Sequence, residues 1–223
     1  MSKNSFSEKL GHLWFAIVHI ILNGIFSIFC GMKVEGLEKL RNIKGACIMA
    51  GNHTSYMDPP IFGALSWRRV NCIAQDNLFK IPVLRQLIIS LGAIPLNRDN
   101  PDPSTIKTAV AKLKRGEIIG IFPEGRRVLN EEDEGSESRK GVSALARMSG
   151  APVVPISIIG GKDCISIHHK FIPRFRKLKI VIGDPVVYEK SPDKSKEKEN
   201  MAKFAHDLME TIMAPVNTER NRN

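Results

Sequence analysis

Cysteine is scarce. The 223 residues hold four (Cys30, Cys47, Cys72, Cys164), with no CxxC pair and no metal-like spacing to histidine. A disulfide framework is not expected in a chain large enough to bury its own core. Cys47 and Cys72 lie in apolar runs and read as small core residues. The compartment implied is reducing: the cytosol or the cytosolic side of a membrane. Several catalytic signatures are missing as well. There is no GxSxG, HExxH, P-loop or GxGxxG, so serine acyl-enzyme chemistry, zinc hydrolysis and nucleotide chemistry lack their usual marks. No internal repeat occurs, and the Lys/Glu-rich stretch 190–203 is the one biased segment. Acidic residues are also short: 33 Lys and Arg against 23 Asp and Glu leave a net charge of +10. Such a surface attracts an anionic partner, whether nucleic acid, an acidic membrane or a phosphorylated substrate.

What is present is ordinary for a globular chain. Hydrophobic residues make up 43% and charged residues 25%, which excludes a disordered chain, a collagen-like fibre and a multi-span membrane protein. The division expected is an N-terminal hydrophobic segment over residues 1–34 and one domain over 35–223. Residues 13–32, LWFAIVHIILNGIFSIFCGM, are about long enough to span a bilayer. His19, Asn23 and Ser27 interrupt the run at intervals of four, forming one stripe on a helix. Such a helix can cross the bilayer as a single span, lie in its surface, or turn back as a hairpin at Gly24. It can also simply be buried against the domain. Lys3 and Lys9 precede the run, but no small-x-small cleavage site follows, which argues against a secretory signal.

The remainder alternates between strand-like and helix-like segments. Strands are expected at 46–50, 70–74, 92–96, 117–122, 153–159, 166–171 and 178–182. Helices are expected at 59–65, 81–90, 104–115, 141–148 and 195–213, with Asp58 and Ser104 as N-caps. This pattern predicts an α/β fold with a mostly parallel central sheet flanked by helices. Polar clusters follow three of the strands: His53 to Asp58, Asn97 to Asp99, and Glu124 to Arg127. In open α/β sheets, ligands collect at the carboxyl ends of strands.

His53 and Asp58 form a candidate pair, since a histidine held by a carboxylate is a general base near neutral pH. The alternative is a helix cap beside an incidental loop histidine. Arg98, Arg126 and Arg127 are candidate anion binders, because guanidinium forks suit phosphate oxygens. Glu124 can position a hydroxyl or orient an arginine, and Gly125 permits close backbone approach. Each of these is equally readable as a surface turn. No metal site is suggested.

Four blocks together resemble the glycerolipid acyltransferases. NHTSYMD resembles their NHx4D motif, GAIPLNR their second motif, FPEGRR the third (FPEGTR) and APVVPISI the fourth. The order and spacing fit across residues 45–160, and the nearest group is the bacterial 1-acyl-sn-glycerol-3-phosphate acyltransferases. The resemblance implies transfer of an acyl chain from an acyl-CoA or acyl-carrier-protein thioester, without another cofactor, to the free hydroxyl of lysophosphatidic acid. It implies that His53 deprotonates that hydroxyl and Asp58 orients His53. It places Arg98, Glu124, Gly125 and Arg127 around the acceptor's glycerol phosphate, beside which the extra Arg126 can strengthen phosphate binding or point outward. It also implies work at the cytoplasmic face of the inner membrane. The chain departs from the pattern at Arg126, where Thr is usual, at Val128, where Ser is common, and at Asn97, where an acid is frequent. These bear on the acceptor: glycerol 3-phosphate or a lyso-aminolipid are alternatives. A basic membrane-binding or nucleic-acid-binding protein without activity is the rival class.

Part of the charge is local. Between Ile165 and Ile182 lie Lys170, Arg174, Arg176, Lys177 and Lys179 and no acidic residue. Beside an apolar N-terminus, an anionic lipid surface is the partner expected there, and no nucleic acid.

Overall fold

The computed structural model of the chain describes residues 3–97, 102–125, 140–161 and 177–221. The central strands are apolar runs of near-continuous burial, as strands covered on both faces must be. Among the described residues the strands are β1 (Lys33–Glu35), β2 (Cys47–Gly51), β3 (Val70–Gln75), β4 (Ile94–Leu96), β5 (Ile118–Ile121), β6 (Val153–Ile159) and β7 (Lys179–Ile182), of which β2, β5 and β6 carry that burial. They form one sheet in the order β1-β7-β6-β2-β5-β3-β4. Each neighbouring pair is parallel except β6 and β7. Among the described residues the α-helices are α1 (Lys3–Phe29), α2 (Leu37–Arg41), α3 (Asp58–Leu65), α4 (Pro82–Ser90), α5 (Pro103–Lys114), α6 (Lys140–Ser149) and α7 (Glu197–Arg220). The expected mostly parallel α/β architecture is the one observed.

The alternation of side chains along β2 divides the core. Cys47 and Met49 face one layer with Phe26, Phe62 and Ile156, under α1 and α3. Ile48 and Ala50 face the other, with Ala109, Leu145, Leu208 and Ile212 from α5, α6 and α7. Burial of a ring such as Phe62 contributes ~2–3 kcal/mol, and its neighbours are trimmed to admit it. A Cβ on Gly51 would lie 2.9 Å from the Phe62 ring, and one on Gly120 would lie 3.0 Å from it. Burial pushes the Cys47 thiol up to about 11, against the lowering effect of Arg68, so Cys47 is an inert core residue.

Several details differ from expectation. The helix after β4 is capped by Asp102, whose carboxylate accepts from Ser104 N, rather than by Ser104. β1 and α2 occupy a stretch that reads as merely charged. The biased stretch 190–203 opens α7, where Glu197 accepts from Arg147 Nε at 2.7 Å and Tyr188 OH at 3.0 Å, tying α7 to α6. The expected strand at 166–171 lies outside the described residues, as does most of the basic cluster with Lys170, Arg174 and Arg176.

The N-terminal segment requires the largest correction. α1 runs unbroken through Gly24, so it is not a hairpin. Among the described residues no helix is long and apolar enough to cross a membrane, which leaves the single-span reading without support. His19 and Asn23 of the polar stripe face the protein, whereas Ser27 is exposed and its Oγ donates to Asn23 Oδ1 at 3.4 Å. His19 Nδ1 pairs with Gly63 O at 2.9 Å and Asn23 Nδ2 donates to Ala64 O at 3.1 Å. Both carbonyls lie near the C-terminal end of α3, where helical carbonyls have no intrahelical donor. His19 and Asn23 therefore join α1 to α3, and the apolar residues Leu13, Ile17, Ile20, Ile21 and Ile28 are left exposed.

Candidate functional site

Parallel pairing brings the first and third polar loops together. Ala50 of β2 is in register with Ile121 of β5, so the loops that follow both strands leave the sheet side by side. The loop after β2 folds around one carboxylate. Asp58 is fully buried, and its Oδ2 accepts from Thr54 N at 2.7 Å, from Ser55 N at 2.8 Å and from His53 Nδ1 at 2.8 Å. Asp58 is therefore the first residue of α3 and not its N-cap, which is Met57. Its side chain caps the loop that precedes the helix. Three donors on one oxygen hold the imidazole and the loop with a single group, and charge-assisted bonds of this kind are the strong ones. Ser55 is a turn residue, its Oγ accepting from Met57 N at 3.2 Å.

His53 is held on two further sides. Phe122 stacks on its ring at a centroid distance of 4.3 Å and itself stacks on Phe62 at 4.9 Å, joining the imidazole to the core. The main-chain N–H of His53 donates to Glu124 Oε2 at 2.6 Å. Glu124 sits in a turn closed by Gly125 N–H on Phe122 O at 2.9 Å, and Gly125 has a φ of 69°, a left-handed conformation suited to glycine. With Nδ1 bound to Asp58, Nε2 is the nitrogen left to take a proton. The arrangement can act as a general base on a hydroxyl bound in front of it.

His53, Asp58, Glu124 and Gly125 thus come together. Arg98, Arg126 and Arg127 lie outside the described residues, although Asn97 follows β4 and Gly125 follows β5, both at the carboxyl end of the sheet. Asn52 is a residue that sequence reasoning missed. It is buried, its Nδ2 donates to Ile158 O at 2.9 Å, and its Oδ1 accepts from Ile158 N at 2.7 Å. This clamps the start of the β2–α3 loop to β6. The available signal was an amide directly after an entirely apolar strand. No group of three or more His, Cys, Asp or Glu side chains among the described residues is placed to hold a metal ion.

A histidine–carboxylate pair at the carboxyl end of a mostly parallel α/β sheet marks a class of α/β protein whose site can move a proton to or from a bound molecule. The chain belongs to the acyltransferase family, whose family model matches residues 31–159. It is 31% identical over 166 residues to the 1-acyl-sn-glycerol-3-phosphate acyltransferase of Bacillus subtilis, covering 74% of this chain and 78% of that protein. A chloroplastic 1-acyl-sn-glycerol-3-phosphate acyltransferase of Brassica napus is 27% identical over 166 residues, covering 73% of this chain and 47% of that protein. The fold matches the crystal structure of the 1-acyl-sn-glycerophosphate (LPA) acyltransferase PlsC from Thermotoga maritima with a TM-score of 0.73. That match has 24% sequence identity and covers 96% of this chain and 83% of the other.

Proposed function

We propose that the protein transfers a fatty acyl chain from an acyl-CoA or acyl-carrier-protein thioester to the free hydroxyl of 1-acyl-sn-glycerol 3-phosphate, making phosphatidic acid. The observation that carries the reading is the bond between His53 Nδ1 and the buried Asp58 carboxylate, in a chain whose relatives bear that activity in their names. His53 Nε2 takes the hydroxyl proton as the oxygen attacks the thioester carbonyl. The tetrahedral intermediate collapses, the C–S bond breaks, and the thiolate takes up the proton from the imidazolium. Asp58 keeps the imidazole oriented and offsets its transient charge. Arg98 and Arg127 are assigned to the acceptor phosphate by the family pattern, and Arg126, which departs from that pattern, by guanidinium chemistry alone, with Gly125 admitting close backbone approach.

Thiol release from each donor, measured with a panel of acceptors, tests this. Release is expected with lysophosphatidic acid and not with water alone. Release only with glycerol 3-phosphate or a lyso-aminolipid would replace the acceptor. No release with any acceptor would overturn the reading.

The substrate's location accounts for the exposed apolar face. We propose that the enzyme rests peripherally on anionic lipid at the cytoplasmic face of the inner membrane. Ile28 is 70% exposed on α1 and Val83 82% exposed on α4. Trp14 Nε1 of α1 donates to Ser90 Oγ of α4 at 3.0 Å, joining the two helices. Lys80 and Arg85 border the α4 side, and each basic residue near an anionic surface adds ~1 kcal/mol of attraction. Sedimentation with phosphatidylglycerol vesicles is expected for the native chain and not for Val83→Asp combined with Ile20→Glu. A native chain that stays in the supernatant would exclude this mode of attachment.

A further inference from the structure

The family pattern places Glu124 with the residues that meet the acceptor's glycerol phosphate, but its surroundings suit a different task. The turn after β5 directs the side chain inward: Glu124 is 8% exposed. Its Oε2 accepts the main-chain N–H of His53 across 71 positions of sequence at 2.6 Å. A carboxylate turned towards a phosphate would repel it, most strongly where water is excluded. A carboxylate on a main-chain N–H forms one of the stronger hydrogen bonds available to a protein. It also satisfies a donor that would otherwise be buried without a partner.

We propose that Glu124 is a positioning residue: by holding the His53 amide it fixes the β2–α3 loop against the β5 turn and sets where the imidazole meets the acceptor hydroxyl. The proposal rests on His53 being the general base. Three contacts then define the imidazole: Asp58 at Nδ1, Phe122 against the ring face, and Glu124 at the backbone. The two side chains from the β5 turn reach His53 because β2 and β5 are adjacent and parallel. Releasing the amide leaves the ring bound to Asp58, while the loop that carries both can shift as a unit relative to the acceptor. A displacement of ~1 Å of a reacting group costs about 10²-fold in rate.

Steady-state kinetics of the full chain with Glu124→Ala and Glu124→Gln decide the matter, with His53→Ala as a separate control. In Glu124→Ala, kcat is expected to fall ~10–10²-fold, while the acceptor KM stays within about twofold. In Glu124→Gln, the amide oxygen can accept the same N–H and most of kcat is expected to return. The proposal is overturned if Glu124→Ala raises the acceptor KM tenfold with kcat preserved, if it has native kinetics, or if glutamine rescues nothing. Should the alanine variant fail to fold by circular dichroism, the glutamine variant decides alone, and a low kcat there overturns the proposal. An active His53→Ala overturns the general-base reading and this proposal with it. An inactive His53→Ala with a negative glutamate result removes only the proposal.

Discussion

Alanine in place of His53 is expected to lower kcat for acyl transfer by ~10²–10⁴-fold, with KM for both substrates within about threefold. The substitution removes the only nitrogen in the loop that is both oriented by a carboxylate and left to take a proton. It also removes the ring that stacks on Phe122, a contact of ~1 kcal/mol. The loop itself remains closed, because Asp58 still accepts from Thr54 N and Ser55 N. Far-UV circular dichroism and thermal melting should therefore show a folded protein close to the native transition. Thiol release gives the rate, and residual activity above about a tenth of native would remove His53 from the reaction.

Asparagine at position 58 is the second large effect, and it separates chemistry from folding. The amide oxygen can still accept from Thr54 N and Ser55 N, so the loop keeps its shape. The charge that offsets the imidazolium is gone, and kcat is expected to fall by ~10²–10⁴-fold while the melting temperature changes little. Alanine at the same position is expected to do both. It leaves two main-chain donors, one buried (Ser55) and one half-buried (Thr54), without their acceptor, at up to ~1–3 kcal/mol each, and lowers the melting temperature along with the rate. Native turnover in Asp58→Asn would show that the carboxylate serves the loop alone. Comparing the two variants by melting and thiol release reads both roles from one side chain.

The histidine–aspartate pairing was legible because it is local. His53 and Asp58 stand five positions apart at a strand-to-helix junction, and the block NHTSYMD is a short motif. The function of Asp58 within the loop was misjudged for a physical reason. Asp followed by Pro signals a helix start, but the carboxylate turned back to the donors before it, where His53 and two amides outweighed a helix cap. Asn52 went unread because an amide's partner is chosen by a strand far away in sequence. β1 spans only Lys33–Glu35 at a sheet edge, too short for an alternating pattern to emerge.

α1 shows where such reading stops. A period of four in His19, Asn23 and Ser27 identifies a helix with a polar stripe, and a helix is what forms. Periodicity cannot say whether a stripe faces water, lipid or protein. Here the carbonyls of Gly63 and Ala64 are met by His19 and Asn23, so these two turned inward with Phe15 and Phe26, while Ser27 and the apolar residues from Leu13 to Ile28 on the other side turned outward.

Apolar periodicity, turn residues and compact motifs are enough for the alternating elements, the mostly parallel sheet and the histidine–aspartate pair, because each depends on neighbours along the chain. The strand order β6-β2-β5 depends on none of them. It arises from the packing of whole elements into two layers around β2. Only that order places Glu124 on the amide of His53, Phe122 on its ring and Asn52 on Ile158, since contacts between parallel strands join residues with no proximity in sequence.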